Sequence, residues 1–286
     1  MSVISTLYQP FPLPGVARGH IWHHAPQTRR PRHFHLEPEL NLVVAGSGAF
    51  GMGEMVIPVG PGDLLWWPPG QDHELLDSSP NFDLYVIGLA PGLAERCWGA
   101  SNGAAYQGPT RLRLSPEQVL RLRQVCSAPL EGRDRTAVER HVGDVWRDLH
   151  GLRVRDTDNH PLTRRTLGAL LAQPTLTREE LARHAHCCPS EVSRCFHRDR
   201  GMTLLDYRTR LRLLHFIKGV DEGASFLDAA LEAGFGSYSQ CHRAFGRILG
   251  CGPRAFFASD LRTRMAEVFS PASGAVDFPA ERGPKE

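Results

Sequence analysis

The sequence lacks any apolar run near the ~18 residues that a membrane-spanning helix needs, which excludes an ordinary helical membrane protein. It also lacks a paired CxxC zinc spacing, and its seven cysteines are an odd number. That pattern argues against a disulfide framework and against a cysteine zinc knuckle, and suits a reducing cytoplasm. Nor do residues 1–15 hold a basic stretch followed by an apolar one; Pro10, Pro12 and Pro14 stand there instead, so no export signal is expected. What is present is ordinary for folded domains in water: 41% hydrophobic and 22% charged residues over 286 positions, enough for two cores.

Charge is unevenly divided. Residues 1–100 carry 5 basic and 9 acidic side chains, 5 − 9 = −4, whereas residues 161–264 carry 16 and 10, 16 − 10 = +6. A basic segment is the electrostatic footprint expected of a nucleic-acid partner, although solvated helical faces give the same count.

Between residues 33 and 89, glycine and proline punctuate short apolar runs at 40–44, 55–59, 64–67 and 84–89, the pattern of an antiparallel β barrel or sandwich. Adjacent Trp66 and Trp67 should face opposite sides of a strand, one toward a pocket and one outward. After a Gly-containing loop at 101–110 the pattern turns helical. Ser115-Pro116-Glu117-Gln118 starts one helix with a cap and an N1 proline, and a second helix is expected over 137–149. Residues 153–161 read as a polar linker, and the Pro- and Gly-containing end from 270 onward as disordered.

The stretch 163–257 reads as short helices. Thr177-Arg178-Glu179-Glu180 has the form of a capping box. His186-Cys187-Cys188 then turns the chain into a helix opened by Pro189, with Val192, Cys195 and Phe196 on its core side and Ser190, Ser193, Arg194 and His197 on its open side. Gly201 closes it, and a connecting helix covers 204–218. The design repeats: Ser225 caps a helix, Ala233-Gly234-Phe235-Gly236 turns, and a helix after Ser237 shows Ser239, Gln240, His242, Arg243 and Arg247 outward. Two helix-turn-helix units spaced roughly fifty residues apart form an internal repeat. An exposed helix of this kind enters a major groove, where a guanidinium can bind guanine O6 and N7 together. Arg194 and Arg243 are therefore the expected base readers, with Ser190, Ser193, Ser239 and Gln240 as further base or phosphate contacts.

These motifs, LTREELARHAHCCPSEVSRCFHRDRG at 176–201, LLDYRTRLRL at 204–213 and AALEAGFGSYSQCHRAFGRILGCGP at 229–253, resemble the AraC/XylS family of transcription regulators. Gly234, Phe235, Arg243, Phe245, Gly250 and Pro253 match that family's second unit, and Tyr207 and Arg212 its connecting helix. Cys188, where the family usually has a serine cap, and Phe257, where a basic residue is common, depart from it. The resemblance implies double-stranded promoter or operator DNA, RNA polymerase and a small-molecule effector as partners, and a homodimer with contacts in the helices of 115–150, where Leu120, Leu122 and Trp146 are candidates beside an ordinary core role. No enzyme activity is expected of such a regulator.

In the front half, His33-Phe34-His35 followed by Glu39 and Gly46, then Gly62, Pro68-Pro69-Gly70 and His73, are similar to the two motifs of cupin barrels. Residues His33, His35 and Glu39 share parity and so one face of a strand, while His73 must arrive from another. By that resemblance the four line an effector pocket, the favoured reading, or hold a divalent ion such as Zn, Fe, Mn or Ni. A purely structural role, and a metal-dependent cupin enzyme fused to a DNA-binding module, are the rivals. Cys188 at a helix start is a weak redox candidate, and Cys195 and Cys241 read as core. The expected architecture is α+β: a cupin-like barrel at 1–100, a helical dimerisation segment at 101–160, an all-α double helix-turn-helix domain at 161–264, and a disordered tail at 265–286.

Overall fold

The computed structural model describes residues 8–9, 11, 13, 18–24, 30–98, 110–130, 133–151 and 160–258. In it the apolar runs become strands of two antiparallel sheets. The larger has the order β1-β7-β2-β5-β8, with β1 Gly19–His24, β2 Glu39–Ala45, β5 Asp63–Trp67, β7 Asp83–Leu89 and β8 Arg111–Arg113. The smaller has the order β4-β3-β6, with β3 Gly48–Met52, β4 Met55–Val59 and β6 Glu74–Ser78. Strands β1, β3, β6 and β8 were not legible as apolar runs, because they are glycine-containing, histidine-rich, charged or half-exposed. The helical pattern expected after residue 110 is preceded by β8, whose Arg111, Leu112 and Arg113 pair with Leu65, Leu64 and Asp63.

Period-two alternation sorts the core into two layers. Leu65 and Trp67 turn inward with Val43, Phe50, Met52 and Ile57 between the sheets. Leu64 and Trp66 turn the other way and are covered by helices α1 Pro91–Trp98, α2 Pro116–Cys126 and α3 Arg135–Gly151. The two tryptophans do face opposite sides, but neither is outside: Trp66 lies under Trp146, ring centres 5.3 Å apart. Leu122 and Trp146, considered for dimer contacts, are 1% and 0% exposed within the core of their own chain, whereas Leu120 is 60% exposed.

The caps read in the sequence form as expected. Ser115 and Thr177 each complete a reciprocal capping box, opening α2 and α5 Arg178–Ala185. Cys188 precedes α6 Pro189–Arg200 and makes no side-chain cap bond, the weakness expected of a thiol. Gly201 ends α6 in the left-handed conformation, φ 62°. The connecting helix α7 runs Leu204–Asp221, three residues beyond its expected end. Then come α8 Phe226–Glu232 capped by Ser225, α9 Tyr238–Leu249 capped by Ser237, and α10 Pro253–Ala258. The presumed linker differs in part: residues 152–159 lie outside the described ones, but Pro161 is the first residue of helix α4 Pro161–Ala172, whose Leu162, Leu167 and Leu170 join the C-terminal core. The tail at 265–286 and the loop at 101–109 lie outside the described residues. No described helix is long and apolar enough to cross a membrane.

The barrel and the helical module share one hydrophobic cluster. Tyr8 and Phe34 from the front pack with Leu211, Leu214 and Phe256 from the back. The β3–β4 turn seats on the end of α6, where Glu54 N–H donates to Gly201 O at 2.8 Å.

Candidate functional site

Residues His33, His35, Glu39 and His73 converge. Their ligand-type atoms lie within 4.8 Å of one another, and the four residues are 3–4% exposed. Glu39 opens β2, paired across to Trp67 on β5 and Gly88 on β7. The HxH segment is not part of a named strand, as its parity suggested; instead His33 and His73 exchange backbone hydrogen bonds of 3.1 and 2.9 Å in an isolated antiparallel bridge. That bridge brings the distant fourth residue beside the other three.

The tautomers are set by the backbone. Nδ1 of His33 lies 2.8 Å from Pro31 O, Nδ1 of His35 lies 2.7 Å from Glu37 O, and Nδ1 of His73 lies 3.2 Å from Gln71 O. A carbonyl only accepts, so each Nδ1 carries a proton and each ring turns its Nε2 atom inward. The buried Nε2 atoms of His33 and His73 have no hydrogen-bond partner. Glu39 Oε2 stands 3.1 Å from His35 Nε2 and 3.5 Å from His73 Nε2. Burial, then the neighbouring His73, His35 and Arg30, hold His33 well below the usual imidazole range. Burial opposes ionisation of Glu39, but His73 and His35 beside it prevail and keep the carboxyl well below the usual range. Three imidazole nitrogens and a carboxylate converging at this spacing are the donor set that suits a divalent first-row ion, which would be bound by neutral rings and an ionised carboxyl.

A second layer holds these donors in place. Asn41 Nδ2 donates to Glu39 Oε1 at 2.6 Å, and Trp67 Nε1 donates to Asn41 Oδ1 at 2.7 Å. Trp67 also lies flat on His73, ring centres 4.8 Å apart and 4° between planes. Phe11 meets His35 edge-on at 5.0 Å and fits against Gly88, where a Cβ would fall 1.9 Å from the Phe11 ring. The neighbours thus seal the cluster rather than leave it open.

On the helical module, Ser190, Arg194, Ser239, Gln240 and Arg243 are exposed, and Ser193 is half-buried. Arg194 and Arg243 enter no ion pair with described residues, unlike Arg198, held 2.8 Å from Asp199, and Arg247, held 3.0 Å from Asp206. Three of the further candidates have local duties: Ser190 Oγ lies 3.1 Å from Cys188 Sγ, Ser193 Oγ donates to Pro189 O at 3.0 Å, and Gln240 Oε1 accepts from Gly236 N–H at 2.8 Å. Among the described residues the front half contacts the C-terminal end of α6, where Glu54 N–H meets Gly201 O, whereas Ser190 and Arg194 near its start are exposed.

Sequence reasoning missed the ties between the halves. Asp72 is 1% exposed and accepts from Arg32 at 3.0 Å and Arg210 at 2.6 Å, while Tyr207 Oη donates to Pro69 O at 2.6 Å. The signal available was Asp72 lying next to a motif histidine; nothing in the pattern named its partner 138 residues away.

Comparison with known proteins agrees with this division. The sequence matches the AraC-like ligand binding domain family over residues 17–171 and a helix-turn-helix domain family over residues 181–259. It is similar to the melibiose operon regulatory protein of Escherichia coli (strain K12), 22% identical over 257 residues, covering 81% of this chain and 85% of that protein. Among solved structures, ToxT from Vibrio cholerae O395 gives a TM-score of 0.42 at 11% identity, covering 84% of this chain and 96% of that one. An unsaturated-fatty-acid-bound ToxT from Vibrio cholerae gives 0.40 at 11% identity, covering 83% and 93%.

Proposed function

The chain belongs to the AraC family of DNA-binding transcription regulators with a ligand-binding domain, and we propose that the ligand its barrel senses is a divalent metal ion held by His33, His35, Glu39 and His73. The observation that carries this reading is the inward convergence of three imidazole Nε2 atoms, two without a hydrogen-bond partner, with the Glu39 carboxyl, all within 4.8 Å of one another. The burial of all four residues favours an ion over an organic effector at these positions, reversing the preference drawn from the sequence. The ion would supply fixed positive charge and rigid bonds to four residues from separate parts of the barrel. In this reading it is sensed rather than used in turnover, so the protein is a regulator and not an enzyme.

On the DNA side, α6 and α9 enter successive major grooves, with Arg194 and Arg243 as base readers and Ser190, Ser193, Ser239 and Gln240 as supporting contacts. The protein acts in the cytoplasm as a homodimer through the α2–α3 face that carries exposed Leu120, and works with RNA polymerase at the promoter. The test is to purify the full chain, measure bound metals by elemental analysis, and compare DNA affinity before and after chelation. About one divalent ion per chain, lost on His35→Ala or His73→Ala, is expected together with a metal-dependent change in DNA affinity. A metal-free protein whose DNA binding answers only to an organic compound would defeat the reading.

A further inference from the structure

The two segments that carry the histidines are also the barrel's grip on the connecting helix α7, and we infer that occupancy of the cluster is transmitted to DNA binding through this grip, a buried latch centred on Asp72. The inference rests on the metal reading above.

The geometry follows from backbone alternation. Segments 33–35 and 71–73 lie side by side through the reciprocal His33 and His73 hydrogen bonds. In extended chain, neighbouring side chains point to opposite sides. His33, His35 and His73 face the cluster, so Phe34 and Asp72 face away from it, and what they face is α7. Arg210 of α7 donates to Asp72 Oδ1 at 2.6 Å, and its guanidinium lies 5.1 Å from the centre of the Phe34 ring. Arg32, one residue before His33, donates to Asp72 Oδ2 at 3.0 Å. One turn earlier on α7, Tyr207 donates to Pro69 O. Leu211 packs on Gly70, where a Cβ would stand 3.2 Å from Leu211 Cδ2. Tyr207, Arg210, Leu211 and Leu214 share one stripe of the helix. Phe34, Asp72, Arg32, Pro69 and Gly70 are thus each a sequence neighbour of a ligand or lie in the turn leading to one.

Binding has a mechanical consequence. Two atoms bonded to one ion at about 2.1 Å can be no more than about 4.2 Å apart, so an ion would fix the mutual spacing of segments 33–35, Glu39 and 71–73. Binding ties these segments together, and their backbone carries Phe34 and Asp72. Asp72 is shielded from water and bonded on both oxygens, so it follows as part of a packed unit rather than as a loose side chain. Helix α7 joins the two helix-turn-helix units, and its displacement against the barrel changes how α6 and α9 are presented together. A ligand shifts such an equilibrium only if it favours one docking state over the other, and an ion favours the state in which the segments holding Phe34 and Asp72 are set for α7.

The experiment uses the full chain, Zn²⁺ as the probe, and a DNA duplex selected by the purified protein from random sequence. Between chelated and Zn²⁺-saturated wild type, DNA affinity should change by about tenfold or more. Asp72→Asn and Tyr207→Phe should still bind one Zn²⁺ per chain, within about threefold of wild-type affinity, yet show less than about a twofold change in DNA affinity. Tyr207→Phe removes a single hydroxyl and decides the matter if Asp72→Asn fails to fold. Variants that bind Zn²⁺ and keep the full wild-type response overturn the latch while the metal reading stands, whereas a wild type that binds Zn²⁺ with no change in DNA affinity overturns the sensing role and the latch together. A wild type that binds no Zn²⁺ removes the metal reading and the latch with it.

Discussion

Gly53 and Gly201 meet backbone to backbone, both with positive φ, 55° and 62°, where the barrel's β3–β4 turn caps the end of α6. A Cβ on Gly201 would stand 2.5 Å from Met52 O, and one on Gly53 would stand 2.2 Å from Gly201 O. Gly250 ends α9 with a similar φ of 73° but with nothing within 4 Å of such a Cβ. The two helix ends are thus alike locally and unlike in their surroundings. Gly250→Ala should cost about 1–2 kcal/mol, the left-handed backbone penalty alone. Gly201→Ala should cost about 1–3 kcal/mol more, because the turn must also move away. Thermal unfolding of both variants measures the difference, and equal losses would mean that the contact contributes nothing.

Arg194→Ala and Arg243→Ala should each weaken binding to a specific DNA site by about 1–3 kcal/mol and relax the sequence preference at separate positions. Both side chains are exposed and outside any ion pair with described residues, so their removal leaves no stranded partner. Competition binding against a panel of single-base variants is the measurement. Equal loss on specific and random DNA would reassign that arginine to phosphate contact.

Asn41 touches none of the three imidazoles in the hydrogen-bond network, yet it bonds both Glu39 and Trp67. Asn41→Leu, close in volume, should lower divalent-ion affinity about 10–100-fold while leaving all four ligands present. Competition with a chromophoric chelator reads the value. Unchanged affinity would show that Glu39 needs no such support.

Acid should weaken the helical module through Asp199. Burial opposes ionisation of this carboxyl, but Arg198 Nε and the His160 backbone N–H, at 2.8 and 2.7 Å, hold it below the ordinary 3.8. A carboxyl depressed in the folded state contributes stability that is present above its unfolded pKa and lost as pH falls through the folded one. The loss therefore falls below about pH 4. Asp199→Asn, which keeps an oxygen for the His160 N–H, should flatten that acid limb while lowering stability at neutral pH. Denaturant unfolding across pH tests this; an unchanged slope would assign the acid limb to other carboxyls.

Leu122→Ala should cost about 2–5 kcal/mol of stability, as a truncation inside a packed core. Leu120→Glu, two positions away and exposed, should leave unfolding nearly unchanged and convert the proposed dimer to monomer. Light scattering with parallel thermal melts separates the two effects, and a Leu120→Glu protein of undiminished mass would place the dimer contact elsewhere.

Local signals determined much of this molecule. Thr177, Ser225 and Ser237 announce helix starts because a short side-chain oxygen beside free backbone N–H groups acts within one turn, and Gly201 and Gly250 mark ends because left-handed φ is a property of a single residue. The repeated unit, and with it the exposed Arg194 and Arg243, follows from helical periodicity alone. Parity grouped His33, His35 and Glu39 in the sequence, although the bends at 36–37 mean that no single strand carries all three. Tertiary structure decided the rest, since it depends on pairs far apart in the chain. It set His73 opposite His33 through a two-residue bridge too short to leave an apolar pattern, and it buried Trp66 and Leu122 under α3 where patterning shows only that a side is apolar. It also closed Asp72 on Arg210, because a charged residue in a sequence does not reveal which opposite charge it will meet once water is excluded.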